Sequence, residues 1–246
     1  MDEYNQICIS RLDKMGDMIL SLPIIKTIKL ANPNTKICVL ASQNNAKVLK
    51  NLSYIDKIIE INTGSNFITI LKNILSFRKL NFDFYLNLSP TLLSYFYCFF
   101  SNSKNKATLI FLSRYKKTLI SKLFKQLIAK IFCRYVHIID RYSKLKNNEE
   151  IHQTKMILDF IKICNIPFNK KIVIDFSLPH EKINQIPLNK NLVTIHLSNK
   201  WINRFYTEEN FLNLISRLPK KDNIYVLTTD NSTNKKFTKI YKNFKI

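Results

Sequence analysis

Apolar residues in the first half of the chain alternate between short unbroken runs and longer stretches with helical spacing. Ile7-Cys8-Ile9, Lys36 to Ala41 (KICVLA), Lys57 to Ile61 (KIIEI), Phe82 to Leu88 (FDFYLNL) and Ala107 to Leu112 are short runs, the pattern of buried strands. Between them Ile19, Leu22, Ile25, Ile28 and Leu30 are spaced for one buried helix face. Asn44 to Leu52 reads as a helix, and Phe67 to Leu80 as another with Ile70, Leu71, Ile74, Leu75 and Phe77 inside. Pro33 closes the first helix and Thr63-Gly64-Ser65 marks a turn. Such alternation predicts an α/β fold built on a doubly wound, mainly parallel sheet.

From Arg114 to Val136 apolar pairs recur (Leu119/Ile120, Leu123/Phe124, Leu127/Ile128, Ile131/Phe132, Tyr135/Val136) with lysines and arginines between them. This predicts one amphipathic helix with a basic outer face. The face is either a solvated surface or a hold for an anionic membrane leaflet or a lipid-linked phosphate. A polar connector at 144–148 precedes a helix from His152 to Ile161, and Ile172 to Phe176 reads as a strand. Ser177 to Asn191 carries two prolines and no period, the mark of a linker. Leu192 to Ser198 and Asn223 to Thr228 then read as strands. Thr207 to Leu218 and Asn231 to Phe244 read as helices, the first opened by Thr207 with Glu208 and Glu209. The division predicted is a domain over 1–178, a linker over 179–191 and a second, partial domain over 192–246.

Composition narrows the class. A hydrophobic fraction of 46% in 246 residues excludes a disordered chain. The five cysteines (Cys8, Cys38, Cys98, Cys133, Cys164) stand singly inside apolar runs, so they read as buried thiols of a reducing compartment. The polar start lacks a secretory signal, and Leu86 to Phe100 is too interrupted to span a bilayer. The expectation is a cytoplasmic protein, at most peripheral to a membrane. The net charge of +22 implies attraction to polyanions. Part of it is compositional, because lysine, asparagine and isoleucine are used heavily throughout. Nucleic acid is disfavoured, because the large side chains of the basic helix occupy its apolar stripe rather than interleaving with the cations.

The chemistry concentrates at Arg11-Leu12-Asp13-Lys14-Met15-Gly16-Asp17, where the first strand gives way to the first helix. Parallel sheets bind ligands at such crossings. Gly16 allows a bend and a close approach. Asp17 is either a first-turn carboxylate favoured by the helix dipole or a group facing a cleft. No metal-type spacing is present; Asp13 and Asp17 stand near each other without further carboxylates or histidines.

The string RLDKMGDMILSLPIIKTIKLANPNTKICVLAS resembles the opening of the family 9 glycosyltransferases, the heptosyltransferases of lipopolysaccharide core assembly. Gly16, Asp17 and Pro23 fall on that family's Gly-Asp, apolar turn and proline. The resemblance implies a GT-B-like fold of two Rossmann-like lobes with parallel sheets, the second incomplete. It implies an inverting, metal-independent transfer of a heptose or related sugar, with no cofactor. The donor would be a nucleotide diphospho-sugar such as ADP-heptose, and the acceptor a lipid-linked saccharide of the lipopolysaccharide inner core. Asp17 inherits the role of general base, with Arg11, Lys14, Gly16, Asn87 and Ser89 on the acceptor side. Asn87 and Ser89 are also readable as a strand-terminal turn. On the donor side stand His196, Ser198, Lys200 and Arg204. Two alignments of the family's basic residue remain open, Arg204 with Tyr206 or Lys200 with Trp201, and Leu197-Ser198 replaces its usual Pro-Gly. The family's later donor segments have no counterpart before Ile246, which implies a C-terminally truncated member. A non-catalytic remnant that binds anionic glycolipid or a membrane surface is the alternative.

Overall fold

The computed structural model describes residues 4–112, 119–140, 152–170, 191–197, 207–219 and 223–229. The chain divides into two compact units, Met1–Pro179 and His180–Ile246. The first is built on six strands: β1 (Gln6–Arg11), β2 (Lys36–Ser42), β3 (Lys57–Ile61), β4 (Asn81–Asn87), β5 (Asn102–Leu112) and β6 (Tyr135–Asp140). Their order in the sheet is β3-β2-β1-β4-β5-β6, and every pairing is parallel. The direction of winding reverses between β1 and β4. That is the doubly wound mixed α/β architecture expected from the alternation, with its switch point at the end of the first strand.

Helices cover both faces because parallel strands are buried on both sides. On one face lie α1 (Met15–Ile19), α2 (Leu22–Ala31), α3 (Gln43–Ala46) and, after β6, α7 (Gln153–Ile163). The core here joins Ile7, Ile9, Val39, Phe84 and Leu86 of the sheet to Leu22, Ile25 and Ile28 of α2 and to Ile157, Phe160 and Ile161 of α7. The other face carries α4 (Phe67–Arg78), α5 (Leu92–Phe100) and α6 (Leu119–Phe132). There Cys8, Leu40 and Tyr85 meet Ile74 and Phe77 of α4 and Tyr97 and Cys98 of α5, and Phe99 stacks on Phe132 at 4.7 Å. All five cysteines are buried and free.

Several boundaries differ from the sequence reading. The first helix is two helices: Ser21 Oγ donates to the Asp17 carbonyl (2.8 Å) at the break, and Pro23 opens α2, where its missing N–H costs nothing. Leu30 is exposed rather than inside. The helix over 44–52 is reduced to the single turn of α3, capped by Ser42 Oγ. α5 went unread because Leu92–Phe100 is apolar nearly throughout and so shows no period. The helix expected to reach Val136 ends at Phe132, and Tyr135–Asp140 is a strand. Val136, Ile138 and Ile139 are β-branched and pair with β5, which outweighs the continuing apolar pairs.

The second unit contains β7 (Asn191–Leu197), paired in parallel with β8 (Asn223–Thr229), and α8 (Glu208–Ser216) between them. Thr207 Oγ1 accepts from Asn210 N (3.2 Å), the helix start read from sequence. The expected strand at 172–176, the bulk of the linker, the segment 198–206 and the helix at 231–244 lie outside the described residues. No helix among the described residues is long and apolar enough to cross a membrane.

Candidate functional site

At the carboxyl ends of β1 and β4, and opposite them within β5, the buried sheet turns polar. Ser10, Asn87 and Thr108 are register partners on the three neighbouring strands, and all are fully buried. Ser10 Oγ donates to Asn87 Oδ1 (2.8 Å), and Asn87 Nδ2 donates to Thr108 Oγ1 (3.0 Å). A hydroxyl, an amide and a hydroxyl thus satisfy one another inside an apolar layer, which is the condition for keeping polar groups there.

This ladder supports the loop above it. Arg11, the last residue of β1, is only 1% exposed. Its Nη1 donates to the Leu88 carbonyl, its Nε lies 3.0 Å from Asp13 Oδ1, and its Nη2 lies 3.4 Å from Asp17 Oδ1. One buried guanidinium therefore spans two carboxylates four residues apart. Ser89 Oγ donates to Asp13 Oδ1 (3.1 Å) and accepts from Leu12 N (2.6 Å), tying the loop after β4 to the loop after β1. Asn45 Nδ2, from α3, donates to the carbonyls of Arg11 (2.9 Å) and Asp13 (3.2 Å). Ser94 Oγ, from α5, donates to the Ser89 carbonyl (2.8 Å). Four elements thus fix one short loop.

The two carboxylates have different surroundings. Burial pushes the Asp13 carboxyl above its usual value; Arg11 pulls it down, and Asp17 adds to the rise. Asp17 sits in the first turn of α1 with a third of its side chain exposed. Beside it Gly16 does not serve a bend, because no glycine has positive φ. A Cβ at Gly16 would meet nothing within 4 Å, chain neighbours aside, so the glycine leaves open space next to Asp17. Two carboxylates share one guanidinium, and Asp17 is the end that solvent reaches.

The candidate acceptor residues divide accordingly. Arg11, Asn87 and Ser89 are buried and committed to this network, so in this structure they frame the site rather than offer a surface. Lys14 is exposed at the N-cap of α1, Gly16 is exposed and Asp17 part-exposed. Asp13, Ser10, Thr108 and Asn45 were missed as site members. A polar residue at the end of an apolar strand was the signal for Ser10; Thr108 lies inside β5 and carried none. Of the donor-side candidates, His196 lies on β7, exposed and in register with Thr228. Ser198, Lys200 and Arg204 lie outside the described residues.

A concavity of about 320 Å³ lies at the β3 side, lined by Gln43, Asn44, Lys47, Lys50 and Glu60 and not by Asp17. Among the described residues no three of His, Cys, Asp or Glu come together as ligands for a metal ion.

No protein-family model and no curated protein sequence matches the chain. Solved structures do. A family 9 glycosyltransferase from Veillonella parvula DSM 2008 aligns with a TM-score of 0.71 at 12% identity, covering 99% of this chain and 67% of that one. The E. coli heptosyltransferase WaaC with ADP aligns at 0.63 and 13% identity, covering 98% and 73%. E. coli ADP-heptose lps heptosyltransferase II aligns at 0.63 and 13%, covering 97% and 69%. Identity this low speaks to architecture. The chain is folded as the GT-B-like family 9 glycosyltransferases are.

Proposed function

We propose that the protein is a glycosyltransferase that moves a heptose or related sugar from a nucleotide diphospho-sugar, such as ADP-heptose, to a lipid-linked saccharide of the lipopolysaccharide inner core. The observation that supports this most is Asp17: a part-exposed carboxylate at the sheet's switch point, fixed by a buried arginine and bordered by open space at Gly16. A general base needs a defined position and access to the proton it removes, and Asp17 has both.

In this reading an acceptor hydroxyl oxygen attacks the anomeric carbon of the donor. The bond from that carbon to the phosphate oxygen breaks, and its electron pair leaves with the nucleoside diphosphate. The hydroxyl proton passes to the Asp17 carboxylate, and the anomeric configuration inverts. Arg11 is a positioning residue: it holds Asp17 Oδ1 at 3.4 Å and is itself fixed by Leu88 and Asp13. Lys14, at the rim, is the cation available to the acceptor's own phosphates. The donor diphosphate is assigned to His196, Ser198, Lys200 and Arg204 on side-chain chemistry, since hydroxyl and cationic donors stabilise the charge of such a leaving group without requiring a metal. A lipid-linked acceptor would be met at an anionic membrane leaflet of the cytoplasm.

The test is calorimetry of the full chain with a panel of nucleotide diphospho-sugars, followed by release of nucleoside diphosphate when inner-core acceptor is added. Saturable binding of one donor and acceptor-dependent release are expected, with donor binding weakened in Arg204→Ala. Absence of binding across the panel would overturn the reading.

A further inference from the structure

The α4–α6 layer carries two parallel apolar stripes on its outer side. In α4, Phe67, Leu71 and Leu75 are 67%, 45% and 61% exposed, with Ile68 beside them. In α6, Leu123, Leu127 and Ile131 are 56%, 62% and 70% exposed, with Phe132 beside them. Both triplets have i, i+4, i+8 spacing, which puts each on one helix face. The sequence reading placed Leu71 and Leu75 inside α4 and treated the apolar pairs of α6 as its buried stripe. The structure instead fills the interior with Ile74 and Phe77 of α4 and with Ala129 and Cys133 at the end of α6. The three helices share one core, through Phe77–Tyr97 (5.3 Å) and Phe99–Phe132 (4.7 Å), so the stripes belong to one layer. The α2–α7 face has no such array: Leu30 and Ile163 are its exposed large apolar residues on those two helices.

The charge of the stretch of chain that supplies this layer is one-sided. Residues 62–139 contain 12 lysines and arginines and a single acid, Asp83, against 27 and 16 in the rest of the chain. Asp83 is engaged with the Asn5 and Gln6 N–H groups and with Lys104. Lys72, Arg78 and Lys79 on and after α4, and Lys130 and Arg134 on and after α6, are exposed beside the stripes.

We propose that the outer side of α4, α5 and α6 docks on an anionic lipid bilayer, with the leucine, isoleucine and phenylalanine stripes entering the headgroup boundary and the flanking cations meeting lipid phosphates. Exposed aliphatic side chains ringed by cations match the two attractions that hold interfacial helices on anionic membranes. A second copy of the chain fits less well, because it would bring two strongly cationic layers together. Nucleic acid fits less well, because six of the eight exposed apolar residues on α4 and α6 are aliphatic and offer no stacking surface. The proposal deepens the reading of a lipid-linked acceptor, and lipid binding is read without turnover, so either can fail alone.

The experiment is flotation of the full chain with phosphatidylethanolamine vesicles prepared with or without phosphatidylglycerol. The wild-type chain should float with the anionic vesicles only and be released as salt rises. The triple variant Leu71→Ser/Leu127→Ser/Ile131→Ser should lose about tenfold or more in partitioning. It changes exposed side chains only, so its urea unfolding midpoint and its turnover on delipidated acceptor should match wild type. The opposite-face control Leu30→Ser/Ile163→Ser should float as wild type does. Equal partitioning of the triple variant and wild type would overturn the proposal, as would flotation indifferent to phosphatidylglycerol. So would a wild-type dimer in light scattering that the triple variant dissociates, or tight poly(U) binding without vesicle binding.

Discussion

The two ends of the six-stranded sheet both join β1 to β4 through an acidic side chain and a cation, and they do so in different media. At the amino end Asp83 accepts from the N–H groups of Asn5 (2.8 Å) and Gln6 (3.1 Å) and pairs with Lys104 Nζ at 2.7 Å, the lysine 79% exposed. At the carboxyl end Arg11, 1% exposed, spans Asp13 and Asp17 and takes the Leu88 carbonyl as well. Water screens the first pair and lets the lysine move; the second is held from all sides and cannot be replaced by hydration. A rim pair stitches strands together. A buried guanidinium shared by two carboxylates fixes Asp17 in place while part of it stays open to solvent, which is what a base requires.

If burial is the difference, removing the cation should matter most at the carboxyl end. Arg11→Ala leaves Asp13 uncompensated and the Leu88 carbonyl unpaired, and should cost about 3–5 kcal/mol in urea unfolding of the full chain. Arg11→Lys should recover only part of this, since an ammonium cannot span both carboxylates as the guanidinium fork does. Next comes the ladder beneath. Asn87→Leu strands the Ser10 and Thr108 hydroxyls and should cost about 2 kcal/mol.

The amino end should respond less, and its response should depend on pH. Lys104, then the Gln6 and Asn5 N–H groups, hold the Asp83 carboxyl below its usual value against a burial effect that raises it. A carboxylate lowered in the folded state stabilises the fold above its unfolded pKa of about 3.9, and that contribution is lost as pH falls through the lower folded value. Asp83→Ala should therefore cost about 1 kcal/mol at neutral pH. The gap to wild type should close in acid, below the unfolded value. Asp13 has the opposite sign. Its raised folded-state value means that the native chain keeps that proton to higher pH, so its contribution erodes as pH rises from the unfolded value through the folded one. Smallest of all, Lys104→Ala should change stability by less than about 0.5 kcal/mol, because its partner keeps two backbone N–H groups.

Much of this was legible in the sequence, and the exceptions share a cause. β1, β2, β3 and β4 are short apolar runs with polar boundaries, and each was read within a residue or a few of its place. β6 and α5 were not, because a uniformly apolar run or one that continues a neighbour's pattern carries no period to distinguish helix from strand. Asp17 and Gly16 stood out by position and by resemblance. Asp13 did not, because its importance comes from Ser89 and Arg11, the first of them 76 residues away. Arg11 was visible as a basic residue at a strand end, but nothing in one dimension shows that its guanidinium is buried. The outward stripes of α4 and α6 were hidden for the converse reason: apolar spacing states that a face exists and not which way it points.

The account rests on Asp17 being the base, and one comparison tests it directly: nucleoside diphosphate release by Asp17→Asn and by wild type under the same donor and acceptor concentrations, with urea unfolding measured on both. Asparagine keeps the size and an oxygen for Arg11 but cannot take the proton. The account predicts a fall in turnover of about 10²–10⁴-fold, with donor binding intact and stability within about 1 kcal/mol of wild type. An Asp17→Asn chain that turns over at the wild-type rate would contradict it.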